Sequence, residues 1–436
     1  MFSIAVSAGW RRSWAVWGLA LVAGLGSGQA ASAVSLAGLQ SGLLPGAGAS
    51  GCRWSEPDGN TAYPETHARY FRLSLPRIRE PGLRLRIDGY YLPARYFSLQ
   101  LYGPAYDAID ALADYQLQPQ PGSQSPFAGI TRIDPAVSPG GRYSAYIEFR
   151  AAPAQRAPNT LYTGDLGPAS GQLQLYLRAY LSRGTLRLPV LSYESERGLL
   201  PAAPSSVPPE CPDAPAAGGS TPGVAADGRA AGPDAVRAIA LPAWVGSRDL
   251  SFEVYRGVAG GLGGSGVVYN QNAGFMAATI RSGRDLVLVR GRAPSYPRAG
   301  GAPVPDVRYW SLCQNRKLSQ AVVACVADRE AVVDRAGFHY TVIGNGSGRP
   351  AGADARHGFS YLPAAGVDAG YLIYRQLLAD PAFTGAIGRV SAGGESPLVL
   401  GDYAPVGVYC RPAVFAASVA AGRSPDSIYA DCRAAG

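Results

Sequence analysis

Arg95-Tyr96-Phe97-Ser98-Leu99 returns further along the chain as Arg308-Tyr309-Trp310-Ser311-Leu312, and the text around it returns too. Upstream of each copy lies an alternating segment that reaches a glycine, Leu83-Arg84-Leu85-Arg86-Ile87-Asp88-Gly89 and Leu286-Val287-Leu288-Val289-Arg290-Gly291. Downstream, Leu112-Ala113-Asp114 is echoed by Val326-Ala327-Asp328, and each copy closes on a Gly-led apolar segment carrying an arginine, Arg178 in the first and Arg375 in the second. Four matches in the same order imply one structural unit written twice.

The unit is β-rich. Tyr70 to Leu75, Leu83 to Ile87, Tyr96 to Tyr102, Tyr143 to Phe149 and Leu173 to Leu177 are short, rich in aromatic or branched residues and separated by Gly, Pro and Asn. That pattern suits antiparallel strands. In the second copy the matching runs are Phe275 to Ile280, Leu286 to Arg290, Val307 to Leu312, His339 to Ile343 and Tyr371 to Tyr374. Ile373 to Leu378 reads as a helix that ends before Pro381, and Pro412 to Ala421 as a second. The expected fold is all-β: two tandem jelly-roll-like antiparallel β-sandwich domains with few short helices, because many short strands must cover one another's apolar faces. The first domain spans 52–211, a Pro/Gly/Ala-rich linker 212–237, and the second domain 238–436. A proline-rich insertion between Arg292 and Asp306 has no counterpart in the first copy and reads as a loop.

Residues 1–33 read as an export signal. Arg11 and Arg12 precede an apolar run from Trp14 to Ala23, and Ala31-Ser32-Ala33 offers small residues for cleavage. The run is shorter than the ~20 residues that span a bilayer. Paired arginines also raise the twin-arginine route, whose signal the flanking residues match poorly. Export to the periplasm or beyond makes six cysteines an expected disulfide set. Six permit fifteen pairings. The repeat frame selects Cys313 with Cys325, on neighbouring strands, then Cys410 with Cys432 at the C-terminus, leaving Cys52 with Cys211. Clustered Cys or His at zinc-ligand spacing is absent, and neither metal nor cofactor is expected. The net charge is +8, two fewer once Arg11 and Arg12 leave with the signal. Lys317 is the only lysine, and the arginines are scattered rather than gathered in a stripe. This argues against a nucleic-acid partner.

Arg95 to Tyr102, then Asn159-Thr160-Leu161-Tyr162, then the segment ending at Arg178 together resemble the bacterial family called domain of unknown function 1214. The resemblance covers about residues 70–193, with the second copy a more distant echo. It implies a jelly-roll-like sandwich in exported or envelope-associated proteins and carries no activity or catalytic residue with it.

Candidate chemistry is sparse. His67, His339 and His357 lie in different contexts, and no Gly-x-Ser-x-Gly elbow is present. His339, between Phe338 and Tyr340 in a strand, reads as structural. Asp107, Asp110 and Asp114 sit close enough to suggest paired carboxylates for glycoside hydrolysis or a calcium loop, but they lack the glycine and distal glutamate of the latter. Arg95 and Asp114, and Arg308 and Asp328, fall at matching places and are expected to meet within each copy. Such a pair either fixes strand register or, with Tyr96, Tyr115 and Tyr162 as stacking surfaces, lines a ligand mouth. The expectation is a non-catalytic ligand- or envelope-binding protein, with carbohydrate as one candidate ligand. A carboxylate-dependent polysaccharide hydrolase and a structural envelope protein are the alternatives.

Overall fold

Alternation of apolar and polar residues places β1 (Ala68–Leu75), β3 (Tyr96–Tyr102), β4 (Ala108–Ala113) and β7 (Leu173–Tyr180) in one antiparallel sheet of order β1-β7-β3-β4. The computed structural model describes residues 54–56, 62–75, 82–104, 106–165, 173–195, 198–199, 249–255, 269–281, 283, 285–298, 304–317, 319–344, 346, 348–364, 370–391 and 396–435, all within one compact unit. A second sheet, β6-β5-β2-β8-β9, contains β2 (Leu83–Tyr90), β5 (Arg142–Glu148), β6 (Thr160–Tyr162), β8 (Val190–Ser195) and β9 (Gly198–Leu199), with β5 and β6 parallel. Phe97, Leu99, Leu175 and Leu177 of the first sheet pack against Leu85, Ile87, Ala145 and Ile147 of the second. The two sheets therefore form a sandwich.

The second copy repeats this plan. Its strands are β10 (Asp249–Ser251), β11 (Glu253–Tyr255), β12 (Ala273–Ile280), β13 (Leu286–Arg292), β14 (Val307–Arg316), β15 (Val322–Ala327), β16 (Phe338–Ile343), β17 (Ser360–Leu362), β18 (Gly370–Ala379) and β19 (Val406–Cys410). They form sheets ordered β11-β12-β18-β14-β15 and β10-β19-β13-β16-β17. β14 replaces β3, β18 replaces β7, and the parallel pair β16/β17 replaces β5/β6. The registers agree residue by residue, since Ser98 faces Arg178 across its ladder and Ser311 faces Arg375. Phe97 and Trp310 both point into their own sandwich cores, and Ser98 and Ser311 point the other way, as a period of two requires.

All seven residues of β3 and nine of the ten in β14 are buried. One face of each inner sheet fills its own sandwich, and the other is covered by the opposite copy. Tyr96, Ala113 and Tyr180 of the first copy cluster there with Tyr309, Ala327 and Leu377 of the second. The outer sheets differ. That of the first copy carries an ion-paired surface, in which Arg84 meets Glu194 at 2.9 Å and Arg86 meets Asp88 at 2.9 Å. That of the second is covered by α2 (Pro412–Ala420) and α3 (Pro425–Ala434), whose Phe415, Ile428 and Cys432 pack on Leu288, Val342 and Val408. Proline in the first turn of each helix and the Ser424 hydroxyl accepting from the Ser427 amide define their starts. A one-turn helix, α1 (Ser396–Leu400), precedes them.

Two disulfides fall at the expected pairs, Cys313 with Cys325 directly opposite on β14 and β15, and Cys410 with Cys432 between β19 and α3. Cys52, Cys211, the signal and the linker lie outside the described residues. The helix expected over Ile373 to Leu378 is instead the middle of β18. Both faces of that strand are buried, so its sequence lacks the alternation that marks a half-exposed strand.

Candidate functional site

Arg95 and Asp114 do not meet within the first copy, nor Arg308 and Asp328 within the second. The partners are exchanged. Arg95 Nη1 lies 2.6 Å from Asp328 Oδ1, and Arg308 Nη1 lies 3.2 Å from Asp114 Oδ1. Each aspartate also accepts the backbone amide of its own copy's repeated motif, Phe97 N to Asp114 at 3.0 Å and Trp310 N to Asp328 at 3.3 Å. The carboxylates thus fasten the local turn while the guanidinium comes from across the seam. Such reciprocal contacts are those of a two-fold interface, here built inside one chain.

Asp114, Arg308 and Asp328 have no exposed side-chain surface. Burial pushes the Asp114 carboxyl up to about 6, against the opposing pull of Arg308 and two backbone amides. Asp328 is also raised by burial, with Arg95 opposing. Arg308 spends its remaining donors on the carbonyls of Gly129, Ile130 and Arg95. Arg95 stacks 4.9 Å from the ring of Tyr296, in the insertion before β14. These four charged groups are the interior of the seam rather than a mouth.

A strap ahead of each inner sheet crosses to the opposite copy. Residues before β1 lie on the second copy: Glu65 accepts hydrogen bonds from the Tyr309 hydroxyl at 2.7 Å and the Ser311 hydroxyl at 2.7 Å, and Arg375 donates to the Tyr63 carbonyl at 2.6 Å. Residues before β12 lie on the first: Asn270 accepts from the Tyr96 hydroxyl at 3.3 Å, and the Tyr269 carbonyl accepts from Gln100 at 2.9 Å. The backbone confirms the equivalence, with Leu181 N donating to the His67 carbonyl and Leu378 N to that of Asn272. Both leucines hold positive φ, at 49° and 47°.

The two ends of the seam differ in charge. His67 lies between carboxylates, with Nδ1 3.1 Å from Glu65 and Nε2 2.8 Å from Glu330. Burial alone would lower its pKa, but Glu330 and Glu65 outweigh that and raise it to about 9. Glu65 is wholly buried, and its burial is outweighed by His67, Arg375 and Ser311, which hold it below its usual range. At the other end the corresponding positions are the amides Asn270, Asn272 and Gln116. Gln116 and Glu330 serve the same turn, accepting from Ala113 N at 2.9 Å and Ala327 N at 3.1 Å. Glu65 also lies within 4.8 Å of Cys313 and Cys325, whose sulfurs are bonded to each other and so leave one carboxylate as ligand.

At the amide end the seam opens into a cleft of about 430 Å³. Tyr115 and Ile130 form its first-copy wall; Tyr269, Phe275, Asp380 and Arg389 belong to the second. Gln271 and Arg389 are exposed there. Tyr115 is the one predicted ligand residue on this cleft. Tyr96 is buried beneath the neighbouring strap. Tyr162 is buried elsewhere, its hydroxyl accepting from Ala157 N. Asp110 is held by Arg156 and the Tyr162 amide, so it does not form a facing pair with Asp114. Glu65, His67, Glu330 and Arg389 were not among the predicted site residues. His339 is a core residue, 5.0 Å from the Trp310 ring, with burial lowering its pKa to about 4.

No helix among the described residues is long and apolar enough to cross a membrane. No family profile and no curated protein matches the chain. Among solved structures it is similar to an uncharacterised protein from Burkholderia cenocepacia, at 14% identity over 75% of this chain and 78% of that one, with a TM-score of 0.43. It is also similar to a structural-genomics protein from Vibrio parahaemolyticus, at 10% identity over 74% and 89%, with a TM-score of 0.32.

Proposed function

We propose that this chain is an exported bacterial protein, two tandem jelly-roll-like sandwiches in one unit, that binds a carbohydrate component of the cell envelope in the cleft between its copies without converting it. The cleft carries the reading. Its volume of about 430 Å³ falls in the range of small-ligand sites, and it joins aromatic surfaces of Tyr115, Tyr269 and Phe275 to the polar ends of Gln271, Asp380 and Arg389. Sugars are bound by that combination, in which rings take the C–H faces and planar polar groups take the hydroxyls. The apolar run after Arg11 and Arg12, the two disulfides and the resemblance to the envelope-associated family support export. Of Asp107, Asp110 and Asp114, the carboxylates considered for hydrolysis, the last two are engaged by arginines and amides and Asp107 is exposed outside the cleft, which favours binding over hydrolysis through them.

Calorimetric titration of the oxidised protein with soluble peptidoglycan and capsular oligosaccharide fragments tests the reading. Tyr115→Ala should weaken binding roughly tenfold, the loss of about one aromatic contact, measured well below the variant's own melting temperature because Tyr115 also packs on the core. Wild-type protein that binds no glycan would overturn the reading. Release of reducing ends during titration would replace it with hydrolysis.

A further inference from the structure

We infer that the seam is a dimer interface carried within one chain: it holds the two copies together without the connection between them, and its charged end matches first copy to second rather than either copy to its like. Three independent sets of contacts support the first part. The exchanged pairs Arg95 with Asp328 and Arg308 with Asp114, the exchanged straps at Tyr309 and Tyr96, and the shared cluster in which Tyr96 and Tyr180 meet their equivalents Tyr309 and Leu377 all obey one two-fold relation. Contacts of this kind arise when a surface is complementary to itself. They leave buried charges on each copy that only the opposite copy satisfies.

The second part rests on the unequal ends. The first copy brings Glu65 and His67, and the second answers with Arg375 and Glu330. The second copy brings Asn270 and Asn272, and the first carries Arg178 and Gln116 at the positions equivalent to Arg375 and Glu330. Arg178 is supplied by Gln100 at 2.9 Å and by the Tyr102 hydroxyl, so it needs no carboxylate. A pairing of two second copies would place Asn272 against Glu330 and remove Glu65 from Arg375. A pairing of two first copies would place His67 against Gln116. Only the unlike pairing sets His67 against Glu330 across the seam, and specificity of this type comes from the penalty on the wrong pairings.

The test uses the full chain carrying one site for a sequence-specific protease between residues 212 and 237, beyond Cys211. After folding, oxidation and cleavage, sedimentation across a dilution series should show one particle near the intact mass of 45.3 kDa. Halves that separate at every concentration overturn the inference. Glu330→Gln alone and His67→Asn alone should each raise the dissociation constant of the cleaved halves roughly tenfold. The two together reproduce the amide pair of the other end and should restore it to within roughly threefold. Cleaved halves that stay paired but ignore both single changes overturn the matching. If a single variant fails to fold, the double variant still decides, because its halves must pair.

Discussion

Arg308 and Asp114 come from different copies of the repeat, meet at 3.2 Å, and expose no side-chain surface. The pair therefore couples the two sandwiches energetically as well as geometrically, since neither charge can recover hydration without opening the seam.

Arg308→Ala should lower unfolding free energy by roughly 3 to 5 kcal/mol, the cost of stranding one member of a buried ion pair. Arg308→Ala combined with Asp114→Asn should lose less than the single change, because no uncompensated carboxylate remains. Urea unfolding of the two proteins side by side checks this. Equal losses would mean that the carboxylate is not what the arginine offsets.

Gly89 and Gly291 are next to last in equivalent strands, and each faces a ring on the neighbouring strand: Gly89 is paired with Tyr143, and Gly291 with His339. A Cβ at Gly89 would lie 2.5 Å from the Tyr143 ring, and one at Gly291 would lie 3.0 Å from His339 Nε2. Gly89→Ala should destabilise by about 1 to 3 kcal/mol, the usual range for overpacking, and Gly291→Ala by less. Thermal melts that reverse this order would count against the packing described.

The Cys410 to Cys432 bridge closes a loop of 22 residues and fastens α3 to β19. Replacing both cysteines by alanine should cost roughly 3 kcal/mol in the chain-entropy account. The loss should appear first as faster amide exchange in α2 and α3. Uniform acceleration over both copies would show that the helices are not a separable layer.

The repeat was legible because Phe97 and Trp310, or Asp114 and Asp328, occupy the same places in two stretches of text. Partner exchange was not. Pairing within a copy and pairing across the seam put identical residue types at identical positions, so equivalence alone cannot separate them. β8 and β19 escaped for a related reason. They are short, and Val190–Ser195 has a single buried residue, so neither announces the outer-sheet strand it forms. Glu65 and His67 precede the first recognisable strand, and their partners Tyr309, Ser311 and Glu330 lie more than 240 residues away. No local pattern signals such a contact. Tyr115 was found because it follows the echoed Ala-Asp, whereas Arg389 lies in a turn with no counterpart in the first copy.

His67 gives the seam a pH dependence whose direction follows from its raised pKa. The unfolded imidazole titrates near 6.5, and the folded one, between Glu330 and Glu65 with Arg375 and Arg329 nearby, titrates at about 9. The folded state therefore holds the extra proton through the interval between those values. Its contribution is complete below the lower value and is lost as pH rises through about 9. Glu65, depressed in the folded state, acts oppositely, and its contribution is lost only in acid. Wild-type stability measured by denaturant should thus decline from pH 7 to pH 9.5, and His67→Gln should flatten that limb while leaving the acid limb in place. An unchanged alkaline slope in the variant would show that His67 is not the titrating group.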